Sequence, residues 1–188
     1  IFWGRGGNDT LRGGAGEDSF TGGEGDDFID GGEGRFDQVR YDDAGGAVQV
    51  NLQLGTATGA AGNDTFVNIE NVAGSHFDDV TIGNAGDSTL QGMGGNDFLD
   101  GGAGSDAIDY YEATGGVYVN MATGTSSGAA GNDTFINFEG IGGSFFDDVL
   151  IGGANNNYIH AQDGDDQLDG GAGDGYPQGG AGNDVVDG

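Results

Sequence analysis

The chain of 188 residues has no cysteine, no lysine, a single proline and no apolar run long enough to cross a bilayer. Without cysteine there are neither disulfides nor thiolate metal sites. Without lysine, and with only four arginines against 32 aspartates and glutamates, the formal net charge is −28. Phosphate recognition draws on basic side chains, so this balance makes nucleic acid and anionic membrane surfaces poor partners, and no nucleic-acid partner is expected. No basic-then-apolar leader is visible, and a membrane span of about 20 apolar residues has nowhere to sit. The chain begins Ile-Phe-Trp and stops at Gly188 where another repeat would start, which reads as a piece of something longer.

What the chain does have is glycine, 45 residues of it, at regular intervals. Helix is disfavoured, since each interior glycine costs about 1 kcal/mol relative to alanine and no stretch shows i, i+3, i+4 apolar spacing. Written in nines, GGAGEDSFT from Gly13, GGEGDDFID from Gly22, GGAGSDAID from Gly101 and GGAGNDVVD from Gly179 share the pattern G-G-x-G-x-D-x-U-x, where U is a large apolar residue. Other units fit in part. The one at Gly31 carries an extra Phe36 before Asp37, and position six holds Ser88, Asn157 and Gly175 in three further units. A GGxGxD stretch can turn because glycine tolerates positive φ, and x-U-x is extended with its middle side chain on one face. Two units then make one 18-residue coil.

A longer repeat lies over the short one. Val39–Gly83 matches Ile108–Gly152 at a constant offset of 69, with 26 of 45 positions identical. Each copy holds an 18-residue interlude, YDDAGGAVQVNLQLGTAT or YYEATGGVYVNMATGTSS, then a nonapeptide-like unit, then a six-residue spacer, NIENVA or NFEGIG. Eighteen is two nines, so each interlude is expected to form one full coil with V-x-V-N as a strand. The domain reading is a single rod over 1–188: repeats in 1–40, duplicated units in 41–107 and 110–176, and a terminal repeat in 177–188.

Stacked coils bring position-six residues together. Asp9 then neighbours Asp27, Asp79 neighbours Asp97, and Asp148, Asp166 and Asp184 form a ladder on one edge; Asp18 meets Asp37 on the other, where Ser88 faces Asp106 and Asn157 faces Gly175. Bare carboxylates about 4 Å apart would repel by roughly 4 kcal/mol at an effective dielectric near 20. A divalent cation reverses that sign, and the turns aim glycine carbonyls into the same gap. Calcium, which takes six to eight oxygens in flexible geometry, suits this better than magnesium. One apolar side chain per nine residues is a thin core, so metal is expected to complete the fold and the calcium-free chain to be largely unfolded.

These nonapeptides resemble the RTX repeat of proteins exported by bacterial type I secretion, a pattern that also serves as a general example of repeat architecture. The resemblance implies an all-β, right-handed parallel β-roll, a solenoid of 18 residues per coil with several Ca2+ ions in its turns. It implies ligands at the position-six residues Asp9, Asp18, Asp27, Asp37, Asp79, Asp97, Asp106, Asp148, Asp166 and Asp184. Backbone oxygens would come from Gly14, Gly16, Gly23, Gly25, Gly32, Gly34, Gly95, Gly102, Gly104, Gly164, Gly171, Gly173, Gly180 and Gly182. Asp64, Asp133 and Asn157 are expected as weaker ligands. It further implies a secreted, extracellular or cell-surface bacterial protein that folds on meeting calcium outside the cell. No clustered acid, base and nucleophile is found, and the doublets Asp26-Asp27 and Asp165-Asp166 are position five beside the ligand. The expectation is therefore a non-enzymatic module. Alternatives are an adhesin, surface-matrix or polysaccharide-binding rod, and an accessory module of a polysaccharide-modifying enzyme. Beyond calcium, the partners in view are other domains of the same polypeptide, neighbouring protomers and extracellular polysaccharide.

Overall fold

The computed structural model describes all residues, Ile1–Gly188, and contains strands and turns but no helix. Two sheets face each other across a thin core, one of nine strands and one of thirteen, and successive repeats alternate between them. Within each sheet, repeats pair in parallel with the unit two along, as in Leu11↔Ile29, Phe20↔Val39, Leu99↔Phe135 and Leu150↔Leu168. The period of two units per coil follows directly: the apolar residue at position eight points inward on each strand, and turning after every nine residues delivers it to opposite walls. Phe20, Ile29, Val39, Leu90, Leu99, Ile108, Leu150 and Ile159 are fully buried. Val186, expected in this row, is half exposed, on strand Val185–Asp187. Position-seven side chains look outward, with Val80, Phe98 and Tyr158 exposed.

The interludes depart from expectation. They do not form a full coil. In the first copy Val48–Asn51 runs parallel to Val80–Ile82, but the chain then reverses, and Thr56–Gly59 lies antiparallel between Val48–Asn51 and Gly62–Val67. The second copy repeats this with Val117–Asn120, Thr125–Gly128 and Thr134–Ile136. The reversal is local chemistry. The Asn51 side chain accepts the Leu54 N–H at 2.9 Å, and Gly55 takes φ +65°; Asn120 accepts from Thr123, and Gly124 again has φ +65°. A tight Asn-to-Gly turn closes a hairpin where a loop of repeat type would have crossed to the other sheet. Each interlude thus adds two strands to one sheet and none to the other, which accounts for thirteen against nine. The V-x-V-N strand itself forms, with Val48, Val50, Val117 and Val119 buried.

The two copies are tied side chain to side chain. Arg40 of the first donates to both carboxylate oxygens of Glu112 in the second, at 2.8 and 3.0 Å, and to Asp42 at 3.1 Å.

Candidate metal centre

A repeat loop is shaped around the oxygens it encloses. The Oδ2 of each position-six aspartate lies back against the first glycine of its own unit: a Cβ on Gly22 would overlap Asp27 Oδ2, and the same holds at Gly13 with Asp18, Gly92 with Asp97 and Gly179 with Asp184. The second and fourth glycines meet the preceding coil. At Gly23 (φ +93°) and Gly25 (φ +138°) a side chain would strike the carbonyls of Arg5 and Gly7, in a backbone region that L residues avoid. Of the predicted loop glycines, all but Gly34 have positive φ. The carbonyls of Gly14, Gly16 and Gly164 lie under Gly32, Gly34 and Gly182 of the next coil, so oxygen of one loop faces the next. Position one contributes too, which sequence reasoning missed: the space a Cβ on Gly4 would fill lies against both Asp9 Oδ2 and the carbonyl of Gly22.

The carboxylates form the predicted ladder, cross-linked by backbone. On the first edge, the N–H of Asp9 donates to Asp27 Oδ1, Asp27 to Asp64, Asp79 to Asp97, Asp97 to Asp133, Asp148 to Asp166 and Asp166 to Asp184, at 2.8 to 3.2 Å. On the second edge, Asp18 N–H donates to Asp37 and Ser88 N–H to Asp106, both at 2.8 Å. One oxygen of Asp27, Asp37, Asp97, Asp106 and Asp166 is thereby satisfied. Oδ2 of Asp9, Asp18, Asp27, Asp37, Asp97, Asp106 and Asp166 is buried with no hydrogen-bond partner. A buried carboxylate oxygen left bare is expensive, and seven in register form a donor set suited to a cation. No three acidic or histidine side chains converge on one point, and the oxygens that lie with the bare ones of Asp9, Asp18, Asp37 and Asp106 against the loop glycines are backbone carbonyls. That donor set is all hard oxygen, and it fits calcium.

Other carboxylates are provided for internally. Asp79 accepts the backbone N–H of Ser75 on Oδ2, and its Oδ1 takes the Ser75 hydroxyl at 2.7 Å and the Val48 N–H at 2.8 Å. Asp148 repeats this with Ser144 and Val117. Asp64 Oδ2 accepts the buried Tyr41 hydroxyl at 2.9 Å; Asp133 Oδ2 accepts Tyr110 at 3.0 Å and Ser126 at 2.7 Å. At these four positions the chain's own hydroxyl and amide donors occupy the oxygens that elsewhere stay bare. Asn157 likewise uses its oxygen on the Gly153 N–H and its amide on the Glu139 carbonyl.

Burial raises carboxylates of both kinds. Burial pushes Asp97 up to about 8, with the Asp79 N–H opposing and the charges of Asp133 and Asp79 adding to the shift. Burial likewise carries Asp106 and Asp166 to about 6. Asp27, Asp64, Asp79 and Asp148 are raised by burial, each opposed by the N–H groups it accepts.

Two ladder members escaped the sequence analysis. The Asp37 N–H donates to Glu70 Oε2 at 3.1 Å and the Asp106 N–H to Glu139 Oε2 at 3.0 Å. Both glutamates lie in the six-residue spacers. The signal available was their N-x-E context, repeated at the 69-residue offset. The pentapeptide Gly124-Thr-Ser-Ser-Gly128 has the spacing of a hydrolase nucleophile elbow, but Ser126 is buried within an antiparallel strand and serves as a cap on Asp133; the elbow requires an exposed strand-to-helix turn.

Residues 3–35, 74–109, 142–177 and 178–188 match the family model described as RTX calcium-binding nonapeptide repeat, in four copies that together span more than half of the chain. Against curated proteins the chain has no significant match.

Proposed function

Because the chain belongs to the RTX calcium-binding nonapeptide repeat family, we propose that it is a calcium-binding module whose fold is completed by Ca2+ at the loops with a bare carboxylate oxygen. The observation that carries this reading is the row of seven buried, unpartnered Oδ2 atoms, those of Asp9, Asp18 and Asp37 lying with a glycine carbonyl against the same loop glycine. Several ions are taken up, at Asp9, Asp18, Asp27, Asp37, Asp97, Asp106 and Asp166, with half-exposed Asp184 closing the first edge. Asp79, Asp148, Asp64 and Asp133 hold no ion, because their own hydroxyl and amide donors fill those positions. The module is non-enzymatic and belongs to a secreted bacterial protein, unfolded where calcium is scarce and folded outside the cell. Support comes from the family and from the −28 charge, which collapses onto itself only when neutralised. No helix is long and apolar enough to cross a membrane.

The test is far-UV circular dichroism through a calcium titration, with magnesium as control and EDTA reversal. A cooperative coil-to-β transition near the ~10⁻⁴ to 10⁻³ M typical of extracellular calcium modules is expected. A chain fully folded in EDTA would sink the reading. A second reading, a polysaccharide-binding rod, rests on exposed Tyr158 and Tyr176, which sit side by side on adjacent strands; retardation of the folded chain in glycan-containing gels, lost in Tyr158→Ala/Tyr176→Ala, would favour it.

A further inference from the structure

We infer that the two spacers complete calcium sites of their own, with Glu70 sharing an ion with the Asp37 loop and Glu139 sharing one with the Asp106 loop. The inference rests on the calcium reading above but concerns two glutamates outside the four segments that match the family model.

In an ordinary pair of coils, the space beside the first glycine of a unit gathers two oxygens. Beside Gly13 these are Asp18 Oδ2, from its own loop, and the carbonyl of Gly31, the first glycine of the next coil. Beside Gly31 they are Asp37 Oδ2 and the carbonyl of Asn68. Beside Gly101 they are Asp106 Oδ2 and the carbonyl of Asn137. Asn68 and Asn137 thus stand where a first glycine would. Both adopt positive φ, +55° and +61°, which asparagine tolerates better than most residues.

The position-six role is filled by the glutamates. Asp37 Oδ1 accepts the Asp18 N–H, and Glu70 Oε2 accepts the Asp37 N–H in the same sense; Glu139 does so for Asp106. The extra methylene has a reason. The spacer turn has only Asn68, Ile69 and Glu70 between the strands Gly62–Val67 and Asn71–Ala73, so a shorter side chain would start further from the gap. The backbone is clamped from the other side, since Glu70 and Asn71 N–H both donate to the Asp37 carbonyl, and Glu139 and Gly140 N–H to that of Asp106. Asp37 and Asp106 are 0% and 1% exposed, and their Oδ2 atoms have no partner. Two buried bare oxygens, each beside a backbone carbonyl and each on an aspartate whose own N–H holds a glutamate oxygen, make a site for a hard divalent cation of calcium size.

The experiment counts ions. Glu70→Gln/Glu139→Gln keeps the acceptor for the Asp37 and Asp106 N–H groups and removes only the charge. Calcium stoichiometry of the whole chain, by titration calorimetry and native mass spectrometry, should fall by two in the double variant and by one in each single variant. An unchanged count overturns the inference while leaving the calcium reading standing; a parent chain that takes up no calcium overturns both. Should the variants fail to fold, carbodiimide labelling of the unaltered chain in saturating calcium decides. Glu70 and Glu139 should be shielded while exposed Glu17 is labelled, and labelling of all three alike overturns the inference.

Discussion

The loops at Asp27 and Asp79 occupy equivalent places on the same edge, yet they solve the same electrostatic problem differently. Asp27 is buried with Oδ2 bare, whereas Asp79 is equally buried and has every oxygen engaged by Ser75 and Val48. One loop spends its sequence on glycines that let carbonyls approach an ion. The other replaces the second glycine by serine, whose hydroxyl and N–H do locally what the ion would do. The chain is therefore a mosaic of coils with bare carboxylate oxygens and coils whose carboxylates are capped, the first kind being the calcium sites of the proposed reading, and the second kind clusters around the interludes. The lesson is that the acidic ladder alone does not distinguish bare from capped carboxylates; the hydroxyl and amide donors around each one do, Ser75 at Asp79 and Tyr41 at Asp64.

The largest effect should come from removing calcium. Amide hydrogen exchange in EDTA is expected to show rapid exchange in residues 1–40 and 149–188, with residual protection in 41–79 and 110–148, where Asp64, Asp79, Asp133 and Asp148 are capped. Uniform exchange across the chain would break the comparison. Next in size is the contrast between Asp97→Asn and Asp79→Asn. The first should lose an ion and raise the calcium midpoint of folding about tenfold, equivalent to roughly 1.4 kcal/mol; the second should leave the ion count unchanged. Equal losses of calcium from the two variants would show that the serine cap does not replace the metal.

The serine itself gives a third measure. Ser144→Ala removes the hydroxyl from Asp148 and from the Phe146 N–H, and a buried acceptor stripped of a partner costs about 1 to 3 kcal/mol. That loss should be the same at low and saturating calcium, as read by urea denaturation. A loss that disappears at saturating calcium would mean that an ion can take the hydroxyl's place.

Proton binding sharpens the same contrast. Asp97 is pushed up to about 8, and Asp106 and Asp166 to about 6, from an ordinary 3.8. A carboxyl with a raised folded value favours the calcium-free fold below its unfolded value, and that contribution is lost as pH rises through about 6 and then about 8. In EDTA, folded content should therefore increase on acidification. Calcium must displace the same protons, so the calcium midpoint should rise as pH falls from about 8 to 5. Circular dichroism at both pH values checks the two opposite slopes, and slopes of equal sign would refute the assignment of these oxygens to the metal.

Much of this was legible in the sequence, and the reasons are physical. The period of nine with glycine, aspartate and an apolar residue at fixed places dictates turn, ligand and core, and Asp9, Asp27 and Ile29 lie where that logic puts them. The interludes misled because length alone was counted: eighteen residues equal one coil, but the Asn51-to-Gly55 turn makes a hairpin, and that turn chemistry was present in both copies. Glu70 was missed because no glycine pair announces its loop; its equivalence to a position-six aspartate is visible only once Asn68 is seen with its carbonyl beside Gly31. The caps from Tyr41 and Tyr110 join residues 23 apart, a distance that no short-range pattern reports.

The smallest effect concerns how the two duplicated units hold together. Arg40 meets Glu112 through two near-parallel hydrogen bonds and Asp42 through a third, and its guanidinium is held more firmly protonated by Glu112, with burial opposing and Asp42 assisting. Bidentate geometry lifts this pair above the usual surface ion pair, yet the glutamate side chain is about a third exposed, at 37%, so solvent screens it. Glu112→Gln should cost about 1 kcal/mol or less at low salt and nearly nothing at high salt. The other three arginines, all earlier in the chain, form no ion pair, so a salt-dependent loss confined to Glu112→Gln and Arg40→Gln would assign it to this pair. A loss insensitive to salt would mean that Arg40 acts through the packing of its stem, and the two copies would then be joined by their shared sheets alone.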